Sequence, residues 1–351
     1  MQNLYKNKAI NLIIKDSSKI TLLTINGYIK ITRNVLIPAD SNSLERLKEL
    51  YGAEIKSIVP LDMVLGIWNM PFKVTPAMML VISHTAISQC SYQKTEECIE
   101  SLKKIKIGDD TIRKIVNYIG KIIFEKECKI VDKNIEDDKF GKFPKNYNID
   151  GVLYAEAGGC FLCTQNLVTK KREWREIRNG LVFNSLDLKV WKSDNGKEYH
   201  KIEKKEYISH FGCIDEFKRH FYALMLRNGY GKFKETVILG NGATWIKNFK
   251  KEYVSNSLQI LDFYHVYSNM SKFADFVFKS RDEREEKLNI WIRLLLDGEI
   301  EILLSELYKY RDLKCPEGIV NIYTYISNNL DSINYKYYRE NGYLIGSGGI
   351  E

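Results

Sequence analysis

The sequence predicts a mixed α/β (α+β) protein, and three observations carry that expectation. Short, largely apolar runs such as 236–239 and 258–261 have the length of buried strands. Longer stretches with apolar residues three and four apart have the period of helices packed on one face. In the second half of the chain the two kinds of element follow one another as three strands, then helix, strand, helix, strand. That order builds one mixed sheet rather than a bundle or a sandwich.

The elements follow in order. Segment 1–60 reads as β-rich: 20–24 and 28–32 flank Asn26-Gly27, a hairpin signal. Segment 61–128 reads as helical. Thr75-Pro76 pairs an N-cap with proline at the first helical position, opening a helix to about Ser88. Ser91 caps a second helix to about Lys104. Gly108-Asp109 introduces a third, Asp109 to Lys126, with Ile112, Ile115, Val116, Ile119, Ile122 and Ile123 on its apolar face. Two short helices joined by a glycine-containing turn fit either a helix-turn-helix or a plain supporting bundle. In the first case Arg113, Lys114 and Lys121 lie on the exposed, DNA-facing side. Segment 129–150 is polar, contains Pro144 and reads as a linker. In 151–267, strands are expected at 152–164, 176–183 and around 199–208. A helix at 214–227, a strand at 236–239, a helix at 243–252, a strand at 258–261 and a helix from Tyr264 follow. This is the element order of a ribonuclease-H-like mixed sheet. Segment 268–340 is almost wholly helical and reads as an α-helical insertion.

Composition narrows the partners. The 351 residues are 44% hydrophobic and 28% charged, ordinary for a soluble globular protein. No run of 18 apolar residues is present, and Met1 to Lys15 lacks a signal-peptide layout, so no membrane partner and a cytoplasmic location are expected. A net charge of +8 suits an anionic partner. Basic residues stand among aromatics in 170–175 and 245–251, placing Lys171, Arg172 and Lys247 as candidate phosphate contacts or as parts of solvated faces. Trp245 reads as core. Tyr337, Tyr338 and Arg339 suit either packing or a DNA path. The seven cysteines are expected reduced. Cys160-x-x-Cys163 lacks a second ligand pair and reads as two thiols on a buried strand. Histidines 84, 200, 210 and 220 form no triad with a cysteine or serine.

Five motifs in the second half carry a resemblance. They are Leu153-Tyr154-Ala155-Glu156-Ala157-Gly158-Gly159, Glu173-Trp174-Arg175-Glu176, Leu239-Gly240-Asn241-Gly242-Ala243-Thr244-Trp245-Ile246, Leu261-Asp262-Phe263-Tyr264-His265 and Ile345-Gly346-Ser347-Gly348-Gly349-Ile350-Glu351. In this order they resemble bacterial insertion-sequence DDE transposases of the ISKra and ISLre type, Mutator-like proteins with a ribonuclease-H-like core. The segment from Pro60-Leu61-Asp62 through Ser91-Tyr92 is similar to that family's N-terminal helices. The resemblance extends from about Ile20 to the last residue.

The resemblance implies metal-dependent cleavage and joining of phosphodiesters at the ends of an insertion element. Double-stranded DNA would be the partner, with homo-oligomers possible, and Mg²⁺ or Mn²⁺ held by three carboxylates would be the cofactor. By the same likeness Gly158 stands where the first aspartate would be, and Asn241 where the second would be. Glu351 retains the third carboxylate, with Asp262 and His265 beside the catalytic centre. Without the family, those two residues read equally as an N-cap and a core histidine. Glu156 precedes Gly158 by two residues and faces the same side, about 7 Å away along the strand, so it is a weak metal ligand. Two lost charges, and a chain that stops where the last catalytic helix of 341–351 begins, lead to an expected transposase relative with impaired chemistry. The alternative is an inactive DNA-binding relative, a repressor or binding module.

Overall fold

Asp40 accepts a hydrogen bond from the Ser43 N–H and starts an 11-residue helix, Ser41–Tyr51 (α1), in a stretch the sequence suggested was β-rich. Leu47 is buried and Leu44 half-buried one turn apart, a helical period that the neighbouring strand signals obscured. The structure, a computed structural model, describes residues 10–166, 169–192 and 198–348. The chain divides into two units, Met1–Glu127 and Cys128–Glu351.

In the first unit, Leu12–Thr24 (β1) and Gly27–Pro38 (β2) form the expected hairpin, longer than its sequence signal. Thr24 pairs with Gly27, so the loop residues are Ile25 and Asn26, and Gly27, at φ +107°, opens β2. Pro60–Val64 (α2) places Asp62 in a buried ion pair with Arg33 of β2. Pro76–Gln89 (α3) and Tyr92–Lys103 (α4) start at Thr75 and Ser91, as their caps predict. Leu23, Met78, Ile82, Ile99, Ile112 and Ile115 share this unit's core.

The third helix, Asp109–Lys139 (α5), is 31 residues long and passes the predicted end at Lys126. The linker 129–150 is therefore helical over its first half. Its polar residues are those of an exposed helix face, and the break comes at Gly141, φ +71°. The division between the units falls inside this helix. Ile112 and Ile115 are buried, whereas Ile122 and Ile123 of the predicted apolar face are exposed.

The second unit carries the mixed sheet. Ile149–Gln165 (β3) pairs antiparallel with Arg172–Asn184 (β4). Leu188–Lys192 (β5) and Glu198–Ile202 (β6) form a separate hairpin. Glu206–His210 (β7) pairs antiparallel with β4. The third strand of the sheet is thus 206–210, and the stretch predicted around 199–208 holds two strands in two sheets. The polar 203–205 turn separates them. Ile214–Arg227 (α6), Phe233–Gly240 (β8), Thr244–Tyr253 (α7) and Leu258–Leu261 (β9) follow as expected. β8 lies parallel to β3, and β9 parallel to β8, giving the order β7-β4-β3-β8-β9. This is the ribonuclease-H-like mixed sheet.

Alternation along the strands sorts the two faces. Leu153, Ala155, Val182 and Ile238 pack against Phe217, Phe221 and Phe249 of α6 and α7. Tyr154, Leu181, Phe183, Val237, Leu239 and Ile260 pack against the later helices. Those are Phe263–Val277 (α8), Arg281–Leu296 (α9), Ile300–Leu307 (α10), Ile322–Ser327 (α11) and Tyr335–Glu340 (α12). The helical insertion is one whole face of the sheet's core. Among the described residues no helix is long and apolar enough to cross a membrane.

Candidate functional site

The parallel register brings the sequence-predicted positions together. Ala157 pairs with Gly240, and Gly240 with Leu261. The next residue on each segment is Gly158, Asn241 and Asp262, so these three stand in one row, with Gly158 midway along β3 and the other two just past the ends of β8 and β9. Adjacent strands stand about 4.8 Å apart. Gly158 pairs with Asn179, and Asn179 with Ser209, whose hydroxyl donates to Asn179 Oδ1 at 2.7 Å. The row therefore continues as amide and hydroxyl groups across β4 and β7.

Asp262 is the most enclosed member, with no exposed surface. Its N–H donates to the Gly240 carbonyl at 2.8 Å, which extends the β8–β9 ladder by one bond. One carboxylate oxygen caps α8 by accepting from the Tyr264 N–H at 2.8 Å. The other lies 2.8 Å from His265 Nδ1 and accepts from the Ser347 hydroxyl. Burial on its own raises this carboxyl group. Hydrogen bonds from His265, Ser347 and the Tyr264 N–H outweigh it and hold the group below the usual aspartate range. A carboxylate only accepts, so the imidazole proton sits on Nδ1. The His265 ring is partly exposed. Asp262 is the N-cap that one reading expected, but His265 is partly exposed and is not a core histidine; the carboxylate orients its imidazole at the strand edge.

Asn241 turns inward on its own loop. Its side-chain oxygen accepts from the Ala243 N–H at 3.1 Å, and its carbonyl accepts from the Tyr325 hydroxyl at 3.1 Å. Burial pushes the Tyr325 phenol up to about 12. The next residue needs to be glycine: Gly242 has φ +83°, and a β-carbon there would meet Leu261 at 2.8 Å.

Glu156 is two rungs deeper, paired with Leu181 on one side and Leu239 on the other, and is 1% exposed. It is set back from the row formed by Gly158, Asn241 and Asp262. Glu351 lies outside the described residues, as do Gly349 and Ile350. The chain leading to them is anchored at the site, since the Phe263 N–H donates to the Ile345 carbonyl and Ser347 holds Asp262. Sequence reasoning missed Ser347 and Tyr325 as partners. The Gly346-Ser347-Gly348 motif was the available signal for the first, and nothing near Tyr325 marked the second.

Among the described residues these side chains do not make up a two-metal centre. Both oxygens of Asp262 and the side-chain oxygen of Asn241 are engaged internally. Among the described residues, no group of three histidine, cysteine, aspartate or glutamate side chains is placed to hold an ion.

The candidate DNA contacts are scattered. Arg113 and Lys114 both pair with Asp110, and Lys121 lies 3.8 Å from Glu125, so the exposed face of α5 is largely self-neutralised. Lys171 and Arg172 are exposed at the far end of β4. Lys247, with Lys250 and Lys251, rims a cavity of about 340 Å³ that also touches Asn329 and Asp331, and its ammonium donates to the Asn328 carbonyl. Trp245 packs edge-on against Phe217, and Tyr338 is buried, so both are packing residues, whereas Tyr337 is half exposed. Cys160 and Cys163 are exposed rather than buried, because β3 runs beyond its flanking strand β8. His210 and His220 are buried ring neighbours 5.6 Å apart, and His84 is exposed. The side chain of His200 lies outside the described residues.

A family model matches residues 54–346, that of UPF0236, an uncharacterised protein family. No curated protein matches the chain.

Proposed function

The chain belongs to the uncharacterised family UPF0236, and from that premise we propose that it is a DNA-binding protein of transposase descent whose phosphodiester chemistry is weak or lost. The observation that carries this reading is the register that sets Gly158, midway along β3, beside Asn241 and Asp262, which follow the ends of the parallel strands β8 and β9. In the insertion-sequence transposases that the motifs resemble, acidic side chains would stand at the first two positions. Here one position has no side chain and the other has a neutral amide bonded to its own loop. The partner is double-stranded DNA, bound in the cytoplasm by a single chain or a homo-oligomer. Mg²⁺ or Mn²⁺ would supply charge neutralisation at the scissile phosphate, but the described residues offer it no three-ligand group.

The binding-module reading is favoured over a working transposase by the occupied state of Asp262. Its carboxylate holds together a helix start, His265 and Ser347, which gives it a structural role whatever becomes of catalysis. Two measurements test the proposal. Binding to duplex DNA should weaken steeply with salt, in proportion to the phosphates neutralised. Nicking of insertion-element ends with Mg²⁺ or Mn²⁺ should be very slow in the natural chain. The double variant Gly158→Asp with Asn241→Asp should bind the metal more tightly by isothermal titration. Salt-independent binding would rule out a DNA partner. Brisk nicking that survives Glu351→Ala would show that the reaction is housed elsewhere.

A further inference from the structure

Strand β3 outlasts its neighbours. Its pairing with β8 ends at Ala157, and the pairing of β4 with β7 begins only at Arg178. Residues 160–165 and 172–177 therefore form a two-stranded ribbon, with no third strand on either side among the described residues. Such a ribbon has little reason to carry large apolar side chains, yet Trp174 is 70% and Phe161 64% exposed. Trp174 pairs directly with Cys163, and Phe161 stands two residues before Cys163 on the same face, within reach of the indole along the diagonal.

Charge on that face is positive. Arg172 alternates with Trp174, and Lys170 and Lys171 follow at the ribbon's end, all exposed. These three cations make no ion pair among the described residues. The acid on the same face, Glu176, is engaged by Arg178. The surface thus sets two exposed aromatics and Arg172 on one face, with Lys170 and Lys171 at the adjoining end of the ribbon. A second copy of this chain would set those cations against one another. A polyanion whose own rings are uncovered matches both features.

We propose that this ribbon face is a platform for single-stranded DNA, stacking unpaired bases on Trp174 and Phe161 while Arg172, Lys170 and Lys171 follow the phosphates. The inference rests on the DNA-binding reading above and adds to it a surface separate from the Gly158–Asn241–Asp262 edge. By strand alternation the platform looks to the opposite side of the sheet from Gly158. Duplex DNA, with its bases already stacked, gains little from the aromatic pair.

Fluorescence anisotropy of the full chain with a labelled oligothymidylate and, separately, a labelled duplex tests this. Trp174→Ala should weaken single-strand binding by about tenfold or more and leave duplex binding nearly unchanged. Phe161→Ala should act in the same direction, and Trp174→Phe should keep most of the affinity. Both aromatics are exposed, so the melting temperature of the variants should stay at the parent value. Single-strand affinity unchanged in Trp174→Ala, or an equal loss on both DNAs, overturns the platform. Duplex binding with no single-strand binding overturns the platform alone. No binding to either DNA overturns the DNA reading as well.

Discussion

Strand β4 has two ends that share a backbone partner and differ in everything else. At one end Phe183 is buried, stacked on Tyr154 with ring centroids 5.1 Å apart, and covered by the helical insertion. At the other, Trp174 pairs with the same strand β3 but is 70% exposed, and among the described residues no third strand joins the ribbon there. Both are large aromatics in extended backbone. The difference teaches that an aromatic on a strand is a packing residue only where a second layer reaches it, and is otherwise a surface available to a partner.

The comparison can be broken at several points. Phe183→Ala should cost the most, about 3–5 kcal/mol by chemical denaturation, since it removes a buried ring and leaves a cavity. Asp262→Asn, at the edge between the two regimes, should cost about 2 kcal/mol because charge-assisted bonds to Tyr264, His265 and Ser347 are weakened together. Its pH dependence follows from the lowered folded value. The contribution is complete above the ordinary aspartate range near about 3.9 and is lost as pH falls through the lower folded value. The parent should therefore lose stability more steeply in acid than Asp262→Asn, and parallel acid profiles would remove the carboxylate from this role. Ser347→Ala should cost less, about 1–2 kcal/mol, because one of several bonds to the carboxylate is lost. Trp174→Ala should change stability by no more than about 0.5 kcal/mol. A large loss there would mean that the exposed ribbon is part of the folding core after all.

Much of the fold was legible from the residues. The Thr75-Pro76 and Ser91 caps placed two helices, and the short apolar runs at 236–239 and 258–261 placed two parallel strands, because these signals are local. The helix at 41–51 was not legible among flanking strand signals. The extension of α5 through 127–139 was hidden by its polarity, since an exposed helix and a linker draw on the same residues. The stretch 198–210 divided between two sheets for a reason outside itself: which strand pairs with β4 depends on what the rest of the chain leaves open.

The candidate site shows the same boundary. Sequence alone identified Gly158, Asn241, Asp262 and His265 as positions of interest, because each lies in a contiguous motif that carries the resemblance to the transposases. Residue identity also settled that two of those positions carry no charge. Only the tertiary structure decided that Gly158, Asn241 and Asp262 share one row, that Glu156 is set two rungs deeper, and that Asp262 is bound up with Ser347. It also decided that Cys160, Cys163 and Trp174 are exposed. Adjacency across parallel strands and burial by a distant helical layer join residues 80 or more positions apart. No local pattern encodes those distances, since they follow from how the whole apolar surface is shared between the two faces of one sheet.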